Sequence, residues 1–150
     1  MTAEAELNGF IDRYSPEVAM DGRLALAFLT ARLPTAIRLV YDNFNALVIG
    51  FGASTKVFDI CLSIAFYPRY VTLFFLKGVE LPDPAGLLEG SGSRVRGIKL
   101  RPISRIQSTE VGALIDAAVA NLSTRFPSTG EGPLIIKSIS AKQRQRRPKS

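Results

Sequence analysis

Apolar positions in the first part of the chain recur at helical spacing. Ala3 to Asp12 predicts a short opening helix, and Ser15-Pro16-Glu17 reads as an N-cap, a proline at the first helical position and an acid near the positive end of the helix dipole. Val18, Ala25, Leu26, Leu29 and Leu33 keep one apolar face, Gly22 lies on that same face, and Pro34 marks the stop. From Ala36 the pattern changes to short apolar runs rich in β-branched and aromatic residues. These predict strands near Ala36 to Tyr41, Ala46 to Gly52, Phe58 to Phe66 and Tyr70 to Leu76. The connections hold Asn43 and Asn45, Gly52 to Lys56, and Tyr67-Pro68-Arg69. Links this short favour antiparallel neighbours, because a parallel crossover needs a dozen residues or more.

In the third run Ile60, Leu62, Ile64 and Phe66 alternate with Cys61, Ser63 and Ala65, so one face is bulky and the other small. The small face is expected to receive a packed helix rather than a ligand. After Leu81-Pro82-Asp83-Pro84 and a Gly-Ser loop, Arg94 to Arg101 reads as a basic edge strand with Ile98 and Leu100 on one side. Ser108 then caps a helix whose stripe is Val111, Leu114, Ile115, Ala118 and Leu122, and Leu134 to Ile136 suggests a short further strand. The expected fold is therefore α+β, an antiparallel sheet of about five strands packed against N-terminal and C-terminal helices. Residues 1–126 form the domain, and residues 127–150 form an extension that ends in a flexible basic tail.

Charge sharpens that division. The formal charge is +6, yet residues 1–136 hold as many basic as acidic side chains. The whole excess comes from Lys137, Lys142, Arg144, Arg146, Arg147 and Lys149, in a segment without an acid. Within it Lys142, Arg144, Arg146, Arg147 and Lys149 are the candidates for salt-sensitive, sequence-independent contact with nucleic acid, against the plainer role of a solubilising terminus. No aromatic interleaves the tail to stack on bases.

The chemistry available is narrow. There is no histidine, which removes the commonest general base and transition-metal ligand together. Cys61 is the single cysteine and lies between Ile60 and Leu62, so it reads as a core residue in a protein of a reducing, cytoplasmic compartment. The acidic opening residues do not resemble a secretory signal, and Pro68-Arg69 interrupts the one long apolar stretch, so neither secretion nor membrane insertion is expected. Gly50-Phe51-Gly52 lacks the third glycine and following helix of a dinucleotide fingerprint, and no cofactor is expected.

The better anion candidate is Gly90, Ser91, Gly92, Ser93, Arg94 and Arg96, with Lys99 and Arg101 on the strand beyond. Small residues let backbone N–H groups converge, and two arginines stand beside them. On a strand, however, Arg94 and Arg96 share one face while Lys99 and Arg101 share the other. Charge that guards an edge strand against pairing explains the same residues without a ligand.

Tyr70 to Gly78, Leu81-Pro82-Asp83-Pro84, Leu88-Glu89-Gly90-Ser91-Gly92 and Val95 to Leu100 together resemble the YdhG-like family, a bacterial domain of unknown function numbered 1801. The resemblance spans roughly residues 7–122, and the Leu-Glu-Gly-x-Gly turn before the arginine-bearing strand is its most specific part. It implies an α+β fold with an antiparallel sheet and mostly unassigned function; one branch of the family is linked to intracellular iron delivery. The family pattern supplies no catalytic residue to carry over. The resulting reading is a noncatalytic domain for an anionic small molecule or a protein partner, with a homo-oligomer as an open class. Nucleic-acid association through the tail and, by resemblance, iron handling are the alternatives. An enzyme with a Tyr, Lys or carboxylate base stays open, although no constellation points to one.

Overall fold

The computed structural model describes residues 1–149. Three helices form where capping and periodicity place them: α1 at Ala3–Asp12, α2 at Pro16–Arg32 and α3 at Thr109–Ala120. Ser15 Oγ accepts from the Val18 N–H at 3.4 Å and Ser108 Oγ from the Val111 N–H at 3.2 Å, so both serines satisfy a free donor of the first turn. Gly22 lets α2 sit directly on the sheet. A Cβ there would lie 1.9 Å from the Phe66 ring, so any larger residue would hold the helix away.

Six strands form one sheet: β1 Ile37–Asp42, β2 Leu47–Gly52, β3 Ile60–Phe66, β4 Val71–Phe75, β5 Arg96–Lys99 and β6 Leu134–Ile139. Their order is β5-β4-β3-β2-β1-β6. From β1 to β4 every neighbouring pair is antiparallel, as the short connections require, and β5 also joins β4 antiparallel after the longer segment 76–95. The fold is thus α+β with N-terminal and C-terminal helices, and the sheet holds six strands where about five were expected.

The buried residues of all three helices join one core with Val40, Ile49, Phe51, Leu62, Ile64 and Phe66. The helices therefore cover the bulky face of β3, which corrects the expectation that they would pack on the small one. Opposite, cross-strand pairing aligns Leu39, Gly50, Ser63, Phe74 and Gly97 in one row. Here the large side chains lie down over the glycines: a Cβ at Gly97 would meet the Phe74 ring at 2.8 Å, and one at Gly50 would meet Ile60 at 3.0 Å. This self-covering explains how Leu39 and Ala65 are buried on a face without a helix. Register shifts between Phe51 and Gly52, which pairs Gly52 with Ile60 and leaves Cys61 as the extra residue. The bulge sends Cys61 to the helix-side core, away from Ser63 and Ala65.

The extension departs most from expectation. The short strand expected at Leu134 to Ile136 forms as β6 and pairs in parallel with β1, matching Arg38 with Leu134 and Asp42 with Ile139, and the segment after it does not trail away. The chain then wraps the β1–β2 turn. Ser140 N–H donates to Asp42 O at 2.9 Å, and Arg144 N–H to Phe44 O at 2.8 Å. Residue 150 lies outside the described residues.

Candidate functional site

The two ends of the sheet offer different chemistry. Where β3 begins and β4 ends, a cavity of about 140 Å³ opens between the sheet and the C-terminal end of α3. Phe58, Ile60, Phe75, Leu81, Ala118 and Leu122 give it apolar walls. Its polar lining is Asp59, Lys77, Asn121, Ser123 and Thr124, with the Cys61 thiol among them. Burial pushes that thiol up to about 12, so it is neutral and serves as a weak donor rather than a nucleophile. Asp59 is already engaged, because Ser54 Oγ donates to its carboxylate at 2.6 Å. The Lys77 ammonium makes no hydrogen bond or ion pair among the described residues, so the uncommitted polar side chains of the lining include a cation.

The Gly-Ser loop touches this cavity through one residue only. The Arg94 guanidinium stands 5.9 Å from the centre of the Phe58 ring, and Phe58 is 77% exposed at the cavity mouth. The rest of the loop does not converge its N–H groups on an anion. Arg96 instead donates to Gly92 O and to Val95 O, at 2.6 and 2.8 Å, so the loop turns carbonyls inward around a guanidinium. Gly90, Ser91, Gly92 and Ser93 are exposed, and a Glu89 to Gly97 bridge closes the loop's base. Lys99 lies elsewhere, 4.7 Å from the centre of the Tyr70 ring, and Arg101 is exposed beyond the strand. The candidate cations Arg94, Arg96, Lys99 and Arg101 therefore occupy separate positions.

At the opposite end the C-terminal segment is anchored by Arg146, which is only 4% exposed. Its Nη2 donates to Asp42 Oδ1 at 2.9 Å and to Asn43 O at 2.6 Å. Nε and Nη1 are buried without a hydrogen-bond partner, and the Tyr14 ring centre, 5.7 Å from the guanidinium carbon, supplies a π face. Tyr14 is itself fixed: its hydroxyl donates to Phe66 O at 2.9 Å and accepts from Leu47 N–H at 3.1 Å. Burial, the first cause, holds this phenol above its usual range. Gln143 adds a second fastening by donating to Asp42 O at 2.9 Å and accepting from Arg13.

Anchoring fixes the flanking cations on the surface. Arg144 stacks 5.5 Å from the Phe44 ring centre, and Arg147 donates to Arg13 O and Asp12 O. Arg144, Arg147 and Lys149 join Arg69 from the β3–β4 turn around one open groove. Lys142 is exposed outside it. Of the five tail candidates the structure thus buries Arg146, gathers three and leaves Lys142 apart. Sequence reasoning missed Arg69, Lys77, Asp42 and Tyr14; a lone arginine in a tyrosine-flanked turn was the one local signal.

Among the described residues no three His, Cys, Asp or Glu side chains gather where they could hold a metal ion. No helix among them is long and apolar enough to cross a membrane. Compared with protein-family models, with curated proteins and with solved structures, the chain finds no match in any of the three.

Proposed function

We propose that this is a noncatalytic binding domain whose cavity takes a small amphipathic anion, such as an aromatic or branched aliphatic carboxylate. The observation that carries the reading is a partly open cavity with apolar walls and the Lys77 ammonium uncommitted in its lining. Pockets of this type place an apolar body by shape and orient it with a few polar groups. The volume of about 140 Å³ is close to that of an engineered apolar cavity known to admit benzene, so the occupant holds roughly six to nine heavy atoms. Lys77 and Arg94 favour a carboxylate at the mouth, while Asn121, Ser123 and Thr124 can share its oxygens. Cys61 and the engaged Asp59 add no reactive pair, which supports binding rather than turnover.

The loop that motivated an anion site in the sequence acts here at one remove, through Arg94 at Phe58. We further propose membership of the YdhG-like family, on the Leu88 to Gly92 turn and the strand that follows; its metal-handling branch finds no donor cluster among the described residues.

Thermal melting and amide chemical-shift titration with benzoate, phenylacetate and benzyl alcohol test the proposal. The carboxylates should stabilise the protein and shift residues 58–61 and 118–124, the alcohol should do so more weakly, and Ala118→Phe should abolish the effect by filling the cavity. Lys77→Gln should remove the preference for the carboxylates. The proposal is dropped if none of the three shifts those residues, or if Ala118→Phe leaves the response intact.

A further inference from the structure

The groove bounded by Pro68, Arg69 and the C-terminal segment holds Arg69, Arg144, Arg147 and Lys149 and no acid in its lining. Four cations gathered without a counter-ion repel one another, so some device must hold them together. That device is visible. Arg146 points inward and pairs with Asp42 at the end of β1, whose other carboxylate oxygen faces Arg13 at 3.6 Å, so this acid is committed away from the groove. Arg144 and Arg147, on either side of it in sequence, point outward as a result. The segment is thus ordered by buried contacts within the chain, so its ordering cost is met before any ligand arrives.

Among the described residues no aromatic ring lines the groove itself, but rings stand on the turns that bound it, and Tyr67 and Tyr70 line a second pocket together with Lys99 and Glu89. Tyr67 and Tyr70 flank Pro68-Arg69 with ring centres 5.4 Å apart, and Lys99 lies against the Tyr70 ring. Phe44, 46% exposed, carries the Arg144 guanidinium on its face. Cations that track a phosphate backbone, beside rings and stacked arginines that accept unstacked bases, are the pairing used by proteins that hold single strands. An acidic protein surface would use the cations but has no need of the rings.

We infer that this end of the sheet binds single-stranded nucleic acid, with Arg69, Arg144, Arg147 and Lys149 on the phosphates and Tyr67, Tyr70 and Phe44 beside the bases. The site is separate from the cavity, and its failure would leave the cavity proposal untouched.

Fluorescence anisotropy of the full chain with a labelled oligothymidylate is the test. If all four cations meet phosphates, the slope of log affinity against log salt is about −3, and affinity falls roughly 50-fold between about 50 and 200 mM salt. Arg69→Gln with Arg144→Gln should halve that slope to about −1.5. Tyr70→Ala should weaken binding at least about fivefold with the slope unchanged. Asp42→Asn adds positive charge yet should weaken binding, because the anchor is lost; Gln143→Ala should do the same more mildly without changing charge. Circular dichroism and melting confirm that each variant is folded.

No binding at low salt overturns the inference, as does a double arginine variant that binds like the parent. Equal affinity for a duplex of the same length overturns the role of the rings. Equal affinity for polyglutamate overturns nucleic acid as the partner. Unchanged or tighter binding by folded Asp42→Asn and Gln143→Ala overturns the role of the anchor.

Discussion

At the end of the sheet where β3 begins, Arg96 is clasped by carbonyls of its own loop and Arg94 lies on Phe58, so each cation of the Gly-Ser loop is held singly. At the opposite end a single buried arginine, Arg146, fixes a segment of which Arg144, Arg147 and Lys149 face one groove. Before folding, the loop looked the better anion site, because small residues and arginines adjoin in sequence. The difference lies in what binds the backbone down. A loop closed by its own hydrogen bonds turns its carbonyls and donors upon itself, whereas a segment fastened by the buried Arg146 and by Gln143 holds Arg144, Arg147 and Lys149 on the surface around one groove.

Breaking the fastening should have the largest effect. Asp42→Ala strands the Arg146 charge in the interior and should cost about 3–5 kcal/mol in urea unfolding, with faster hydrogen exchange in residues 134–139 but not at the cavity end. Replacing both partners, Asp42→Asn with Arg146→Met, should recover most of that loss, since a buried pair contributes position more than net stability. Recovery without restored protection of β6 would show that the pair also sets register.

Tyr14→Phe comes next. It leaves Leu47 N–H without its acceptor and removes a donor to Phe66 O, at a cost of about 1–3 kcal/mol by the same unfolding measurement.

At the cavity end the expected effects are smaller. The Cys61 thiol is raised from an unfolded value of 9.0 to about 12, so above pH 9 the folded state binds more protons than the unfolded one. Stability is therefore fully present below pH 9 and declines as pH climbs towards 12, by about 1–2 kcal/mol at pH 10. Cys61→Ala should flatten that part of the pH–stability curve; an equally steep curve would assign the loss to the buried tyrosines instead. Arg96→Ala should change global stability by only about 0.5 kcal/mol while hydrogen exchange in residues 90–95 accelerates. If Arg96→Ala proved as costly as Asp42→Ala, the contrast between the two ends would dissolve.

Much of the architecture was legible in the chain because it rests on local rules. Ser15 and Ser108 cap helices by hydrogen bonds that span three residues, and the antiparallel run from β1 to β4 follows from short connections. The bulge at Cys61 was invisible to alternation, since a period of two says nothing of where one residue is skipped. The anchor escaped for a different reason. Asp42 and Arg146 stand 104 residues apart, and a reading of charge along the chain sees only a basic run without an acid. The cavity escaped likewise, because its lining is drawn from β3, the segment after β4, and the end of α3.

Parallel pairing of β6 with β1 has a consequence for biosynthesis. Residues 37–42 emerge from the ribosome with β2 close behind them, but the flank that β6 covers stays open until residue 139 has been made. Throughout that interval the nascent protein displays a row of unbonded amides and carbonyls to whatever strand drifts by.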